Sequence, residues 1–336
     1  MKTKAAFINK YEENKIFEAF DKDSCKTLYK TLEFPDKLLT PKDFNSYRDY
    51  LSSTEYLFST WGMPALTENE IKEYFPSLKA VFYAAGSVQE FARPFLNCGI
   101  KVFSAWAANA VPVAEYTVAQ IILAGKGFFQ GLRRQQKGCR DDFYKYSTSF
   151  PCNYNIKIGI LGAGSIGSIV LDMLKIYHIE TLCYDPFASD EKLQRLNTKR
   201  ASLDEIFTEC QTISNHIANL PETQNILNYQ LFSKMKKNAT FINTGRGAQV
   251  VEDDLIRALT EEPNRTALLD VTMPEPPDSD SPLWTMDNVI LTPHIAGSMN
   301  NEIARMGEVI THEYLLFSNG LKCNYEVTDD MLKTMA

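Results

Sequence analysis

Three side chains of this 336-residue sequence have types and positions that could grip an acid and move a proton beside it: Arg246, Glu275 and His294. Each stands just beyond a stretch that reads as a β-strand. Ala239–Asn243 runs into Thr244-Gly245-Arg246-Gly247, Thr266–Val271 precedes Glu275, and Val289–Leu291 runs into Thr292-Pro293-His294. An arginine fork grips a carboxylate through two parallel hydrogen bonds. A histidine exchanges a proton near neutral pH, and a carboxylate beside it fixes the tautomer and favours the protonated ring. Taken singly, each residue also has a plain reading. Arg246 could be a surface arginine in a glycine turn, Glu275 one of several acids in P-E-P-P-D-S-D, and His294 a satisfied histidine before a helix. At the carboxyl ends of parallel strands, where open α/β sheets bind ligands, the joint reading is the better one: proton exchange next to a gripped carboxylate.

The frame that positions them is announced by Asn155–Ile169, N-I-K-I-G-I-L-G-A-G-S-I-G-S-I. Lys157–Leu161 is a short apolar strand, Gly162, Gly164 and Gly167 form G-x-G-x-x-G, and a helix-spaced run opens at Ser165 and Ile166. Strand, glycines, helix is the context that a dinucleotide fingerprint requires; the plain alternative is a glycine turn in an ordinary α/β protein. Gly162 allows the tight turn, Gly164 lets the backbone approach a pyrophosphate, and Gly167 lets the helix pack closely on the strand. The N–H groups that open the helix face the phosphates. A second strand, Glu180–Tyr184, ends at Asp185, eighteen positions after Gly167. Its carboxylate can accept the ribose hydroxyls and would repel a 2′-phosphate, and Pro186-Phe187 offer no compensating cation, so NAD is expected over NADP. With a nicotinamide, the Arg–Glu–His set describes hydride transfer to or from a carbon that bears oxygen beside a carboxylate.

Composition narrows the classes further. The length predicts two domains rather than one small core, and 44% hydrophobic with 12% aromatic residues is ample for packed interiors. Against 42 acidic residues stand 35 basic ones, a net charge of −7 without a basic tract of nucleic-acid type. Arg133, Arg134, Lys137 and Arg140 cluster, but Asp141 and Asp142 follow at once, which suits a solvated or subunit-facing surface. No apolar run reads as long enough to span a bilayer: Val111–Ala124 is interrupted by Glu115, Thr117 and Gln120, and the amino terminus lacks a signal peptide's apolar region. Seven scattered cysteines (25, 98, 139, 152, 183, 210 and 323), with no C-x-x-C, fit free thiols in a reducing cytoplasm. The four histidines show no metal-ligand spacing, so no metal site is expected.

Alternation of strands and helices predicts an α/β fold with parallel sheets. In the first third, strands are expected at Lys4–Ile8, Tyr56–Thr60, Leu78–Tyr83 and Val102–Phe103, with helices at Glu13–Phe20, Pro41–Leu51, Ile71–Phe75 (capped by Thr67 and Glu70) and Glu90–Asn97. Val113–Gly127 reads as a long helix and Lys126–Asn155 as an irregular arm. Beyond the fingerprint, strands are expected at Thr212–Ile217 and at the three stretches before Arg246, Glu275 and His294. Helices are expected at Tyr229–Met235, Glu252–Leu259 and Asn301–Phe317, with Ser202 and Glu205 capping another. Two Rossmann-like halves of different length are visible, and no solenoid repeat.

From about residue 55 onward the chain resembles the D-isomer-specific 2-hydroxyacid dehydrogenases. The stretches that carry the resemblance are L-K-A-V-F-Y-A-A-G (78–86), V-A-E-Y (113–116), 159–167, L-P-E-T (220–223), F-I-N-T-G-R-G (241–247), L-D-V-T-M-P-E-P (269–276) and N-V-I-L-T-P-H-I-A-G (288–297). The ordered set I-N-T-x-R-G, D-V-x-x-x-E-P and T-P-H is highly specific. The resemblance implies that Arg246 binds and polarises the substrate, Glu275 pairs with the imidazole, and His294 is the general acid/base. It assigns the substrate carboxylate to Ala85, Gly86 and Ser87 and places Asn109 near the substrate. It also assigns Asp270 to the nicotinamide carboxamide and Thr244, Gly245, Leu220, Pro221 and Thr223 to the cofactor pocket.

Two Rossmann-like domains with parallel sheets and an active-site cleft between them are implied. A discontinuous substrate domain would comprise 1–112 and 296–336, an NAD domain 113–295, and the two crossing helices the hinge. A homodimer built through the cofactor domain and its arm, Phe128–Tyr146, is also implied. The chain departs from the family pattern at Ser87-Val88-Gln89 and at Trp106, which is bulky near a substrate, so substrate identity stays open; glutamate rather than glutamine at 275 counts against formate. An NAD-sensing corepressor-like scaffold is the competing reading, disfavoured by the absence of long disordered flanks. A hydrolase of the adenosylhomocysteine type fits the R…E…H order poorly.

Overall fold

The computed structural model describes residues 2–136, 138 and 148–333. It forms two compact units, Met1–Ala110 with Ser298–Ala336, and Val111–Gly297. Strands along the chain are β1 (Thr3–Phe7), β2 (Leu32–Glu33), β3 (Tyr56–Ser59), β4 (Ala80–Tyr83), β5 (Lys101–Ser104), β6 (Lys157–Leu161), β7 (Glu180–Tyr184), β8 (Lys199–Arg200), β9 (Thr212–Asn215), β10 (Thr240–Asn243), β11 (Thr266–Leu269), β12 (Val289–Leu291) and β13 (Glu326–Val327). The first unit's sheet has the order β13-β5-β4-β3-β1-β2, with β13 antiparallel at its edge and the rest parallel. The second runs β12-β11-β10-β9-β6-β7-β8, parallel throughout. Both are α/β units of Rossmann-like design, as the sequence predicts, and the strand order reverses between β1 and β3 and between β6 and β9. Such reversals are where the crevices of open sheets lie.

The central strands of the second unit, β9, β10 and β11, are buried at every position and covered on both faces. Phe241 packs on one side with Phe207 and Phe232, while its neighbour Ile242 packs on the other with Ile158, Ile160 and Leu268. In the first unit the register sets Phe58 opposite Phe82 and Phe82 opposite Phe103. Their rings stack at 5.2 and 5.0 Å between centroids, and Tyr314 of the helix Asn301–Ser318 meets Phe82 edge-on at 5.6 Å. Three aromatic rungs on adjacent strands bury area and hold register together.

Each strand expected from the sequence forms within two residues of its expected ends. The differences are local and have causes. The helix expected from Val113 begins at Trp106 and runs to Gly125, with Pro112 inside it. A proline commonly marks the first helical turn, so the residues before it gave no helical signal. At 20 residues this helix is long and apolar enough to cross a membrane by length and composition, contrary to the sequence reading. Ala114, Val118 and Ile121 are buried against β6 residues Ile158 and Ile160, however, which makes it a core helix.

The segment read as an irregular arm opens with the helix Phe128–Gln136. Arg133 donates to the carbonyls of Met286 (2.6 Å) and Val289, tying this helix to the turn before β12. Much of the remainder of the arm, including Arg140, Asp141 and Asp142, lies outside the described residues. Pro41–Leu51 is a 3₁₀ turn, Pro41–Asp43, followed by the short helix Arg48–Leu51.

Phe82 is the middle rung of the ladder and is fully buried. Phe82→Ala should therefore cost about 3–5 kcal/mol of stability, read as a lowered denaturation midpoint of the first unit's transition in urea. A loss below about 1 kcal/mol would show that the ladder does not carry the packing.

Candidate active site

The histidine and the glutamate meet. His294 Nδ1 lies 2.7 Å from Glu275 Oε1, with both side chains half-exposed. Their loops follow β12 and β11, neighbours in the sheet. His294 holds a left-handed backbone conformation, φ 53°, which an ordinary residue adopts only when its surroundings impose it. Those surroundings are the carboxylate of Asp270, at the end of β11 and 3% exposed. Its Oδ1 accepts from the Thr292 hydroxyl (2.6 Å) and the Ile295 N–H (2.9 Å), and its Oδ2 from the Ala296 N–H (2.9 Å). The His294 N–H donates to the Asp270 carbonyl at 3.1 Å, and Tyr116 Oη donates to Thr292 Oγ1 at 3.2 Å. Asp270, which the resemblance assigns to the nicotinamide, thus also builds the turn that presents His294.

Arg246 follows β10, the next strand in the sheet. Its Nη1 donates to the Gly245 carbonyl at 2.8 Å. Burial lowers the affinity of its guanidinium for its proton, and the nearby Glu275 charge works in the opposite direction. A guanidinium remains cationic against either influence. Arg246, Glu275 and His294 therefore share one electrostatic neighbourhood at one sheet edge.

The glycine turn fits a dinucleotide on its own geometry. Gly162 has φ 90°, and a Cβ there would meet the His216 carbonyl at 2.7 Å. A Cβ on Gly167 would lie 1.9 Å from the Gly162 carbonyl oxygen, so only glycine lets the helix Ser165–Leu174 approach the strand. A Cβ on Gly164 would meet nothing within 4 Å. This open side, beside the exposed Ser165 and half-buried Ile166 at the helix start, suits a pyrophosphate.

Asp185 stands at the end of β7 as expected, with its oxygens engaged by the N–H groups of Ala163 (2.7 Å), Phe187 (2.8 Å) and Ala188 (3.0 Å). The sequence reading found no cation there, but the fold brings one: Arg200, from β8, donates to the carbonyls of Asp185 and Ala188 at 2.6 Å and pairs with Asp190 at 2.8 Å. Its donors are held by those acceptors.

Leu220, Pro221 and Thr223 form a 3₁₀ turn beyond β9, where the Thr223 hydroxyl is bonded within the turn, to Ala218 and Leu220. Thr244 is buried, with its hydroxyl 3.1 Å from that of Thr117 and 3.5 Å from Nδ1 of His216. In the first unit, Ala85-Gly86-Ser87 follows β4, and Ser104 Oγ donates to the carbonyls of Ala85 and Gly86. Asn109 lies against Gly86, 3.4 Å from where its Cβ would stand, and accepts from the Ser298 N–H. Sequence reasoning missed His216, Asn215 and Gln249, all buried beside the site; the only signal was polar residues in stretches that read as strand or turn. Among the described residues no group of three or more metal-ligating side chains occurs.

Residues 118–296 match the sequence model described as D-isomer specific 2-hydroxyacid dehydrogenase, NAD binding domain, so NAD is the cofactor of this unit. The D-3-phosphoglycerate dehydrogenase of Haemophilus influenzae is 31% identical over 256 residues, 74% of this chain and 61% of that protein. The D-3-phosphoglycerate dehydrogenase of Archaeoglobus fulgidus is 29% identical over 226 residues, 66% of this chain and 42% of that one. The matches therefore span only about two fifths to three fifths of those proteins' lengths. The crystal structure of a phosphoglycerate oxidoreductase from Rhizobium etli superposes with a TM-score of 0.82 at 20% identity, covering 98% of this chain and all of that one, a likeness of fold.

The burial of His216 should make the stability of the site's unit acid-sensitive. Its Nε2 lies 3.0 Å from Ser214 Oγ, and burial pushes its pKa down from 6.5 to about 3. The folded state keeps the ring neutral while the unfolded chain takes up a proton below pH 6.5. Its contribution is therefore full above pH 6.5 and is lost as pH falls toward about 3, at up to about 1.4 kcal/mol per pH unit. His216→Gln should flatten the loss of denaturant stability between roughly pH 6.5 and pH 4.5. An unchanged acid limb in that variant would mean that other groups carry it.

Proposed function

The chain belongs to the D-isomer specific 2-hydroxyacid dehydrogenase family, and on that premise we propose that it interconverts a 2-oxo acid and a D-2-hydroxy acid with NAD. The observation that carries the reading is the 2.7 Å contact between His294 Nδ1 and Glu275. It holds the ring and leaves Nε2 as the nitrogen for proton exchange. When bound, the nicotinamide supplies or takes up the hydride at the substrate carbon. In reduction, negative charge grows on the substrate oxygen, and His294 delivers the proton to that atom. Arg246 grips the carboxylate and polarises the carbonyl, and its permanent charge bars it from being the donor. Ala85, Gly86, Ser87 and Asn109 keep their assigned part in substrate binding. The named relatives are dehydrogenases, which favours catalysis over the NAD-sensing scaffold.

A homodimer in a reducing cytoplasm completes the proposal, with no nucleic-acid or membrane partner. The exposed Phe128 and Leu132 on the helix Phe128–Gln136 suit a subunit interface, and the cysteines of the described residues are free thiols. Light scattering on the purified chain at micromolar concentration should give twice the 38.1 kDa chain mass; a monomer there would refute the interface.

The test of the chemistry is NADH oxidation against 2-oxo acids of graded size and charge, phosphorylated acids among them. With the best of these, His294→Asn should lose about 10²-fold or more in kcat while NADH binding stays nearly unchanged. Arg246→Ala should mainly raise KM and lower kcat as far as it polarises the carbonyl. Near-normal turnover by His294→Asn would remove the histidine from its role and the centre of the reading with it.

A further inference from the structure

Beneath the Arg246 loop lie three buried side-chain amides, Asn215, Asn243 and Gln249, none more than 1% exposed. Asn215 Nδ2 donates to Asn243 Oδ1 at 3.0 Å and to Gln249 Oε1 at 2.7 Å. The two oxygens held in this way also accept from the loop: Asn243 Oδ1 takes the Gly245 N–H (3.1 Å) and Gln249 Oε1 the Arg246 N–H (3.2 Å). Asn243 Nδ2 donates to the Arg246 carbonyl (3.1 Å) and Gln249 Nε2 to the Ile217 carbonyl (2.8 Å). Asn215 Oδ1 accepts the Ile217 N–H at 3.2 Å. Every amide group of the three has a partner, so this is a closed network and not a stray polar patch.

The network grips Arg246 at both its N–H and its carbonyl. Its donor–acceptor logic also fixes the orientation of each amide, because the loop N–H groups need oxygens and Asn215 must then present its nitrogen. We infer that Asn215 and Gln249 are positioning residues for Arg246. They hold the backbone from which the guanidinium reaches the substrate carboxylate, and neither touches the reacting atoms. This rests on the reading of Arg246 as the carboxylate grip. A small rotation of this peptide would swing the far end of a long side chain, and misplacement of about 1 Å in a binding group is enough to cost rate. The loop's own sequence, Thr244-Gly245-Arg246-Gly247, has two glycines and little stiffness of its own. The amides supply the stiffness from below.

Gln249→Met keeps the volume and removes the acceptor of the Arg246 N–H. With the best 2-oxo acid, its KM should rise about tenfold or more, the loss expected when a buried donor is left unpaired. NADH affinity, read by fluorescence, should stay within about threefold of wild type, since the glycine turn is untouched. Gln249→Glu retains the oxygen and, while its buried carboxyl is protonated, an O–H in place of Nε2 on the Ile217 carbonyl. It should therefore bring KM back toward wild type at low pH and lose that rescue as the carboxyl ionises, whatever either variant does to the melting temperature. A Gln249→Met protein with wild-type KM, or one altered only in thermal stability, overturns the inference. If that variant does not fold, Asn215→Ser carries the same test, because it withdraws the donor that orients both oxygens; an unchanged KM there is equally fatal. A wild-type chain that turns over no 2-oxo acid would instead remove the reading of Arg246, and the inference falls with it.

Discussion

The geometry of the site depends first on one buried carboxylate. Asp270 is almost wholly removed from solvent, and an ionised group can persist there only if its lone pairs are met by donors. They are met by a hydroxyl and two peptide N–H groups, all from Thr292–Ala296. Those donors can converge on two oxygens only if the chain between them turns sharply. His294 lies in that turn and takes up the left-handed conformation that the turn demands. The conformational cost, of order 1 kcal/mol or more, is offset by charge-assisted bonds of roughly twice ordinary strength. The imidazole therefore projects from an over-determined turn, and Glu275 has only to meet it.

Topology does the rest of the assembly. β10, β11 and β12 are consecutive neighbours, all parallel, so their carboxyl ends lie side by side at the spacing of paired strands, about 4.8 Å. Arg246, Glu275 and His294 come from the loops after these three strands in turn. Residues nearly fifty positions apart in sequence are thereby brought to one edge without any long-range recognition beyond the register of the sheet. The dinucleotide turn sits after β6, on the far side of β9, at the place where the strand order reverses. Cofactor cradle and proton-exchange pair therefore share the same sheet edge by construction.

Much of this was legible in the sequence wherever one local rule decided the outcome. The boxes Thr67/Glu70 and Ser202/Glu205 cap their helices with reciprocal bonds, and the glycines of 162–167 fall where turn and close approach require them. Legibility failed where a distant residue decides. The start of the helix Trp106–Gly125 was hidden because Pro112, read locally, looks like a beginning. Strands β2, β8 and β13 are two residues long, too short for a period of two to register. Arg200 reaches Asp185 across the pairing of β7 with β8, and the amides of Asn215 and Gln249 meet across β9 and a 3₁₀ turn. Neither pairing leaves a trace in the spacing of either partner. Polar residues in otherwise apolar stretches were the only hint, and that hint says nothing about which partner satisfies them.

The sharpest limit on sequence reasoning is the pair of histidines. His216 stands one residue beyond β9, inside the strand expected from the sequence, and His294 three beyond β12, so both are histidines at the carboxyl ends of strands in one sheet. Their surroundings separate them. His294 is half-exposed with a carboxylate on Nδ1, so that solvent and a counter-charge both face the ring. His216 is enclosed, with hydroxyls rather than a carboxylate as its ring partners, and burial alone keeps it neutral through the physiological range. A strand-end histidine is therefore only a position. Whether it exchanges protons or serves as a neutral packing and hydrogen-bonding group is decided by what faces the ring. The two rings sit at the same edge of one sheet, so the division of labour between them follows from solvent access and partner charge rather than from the fold.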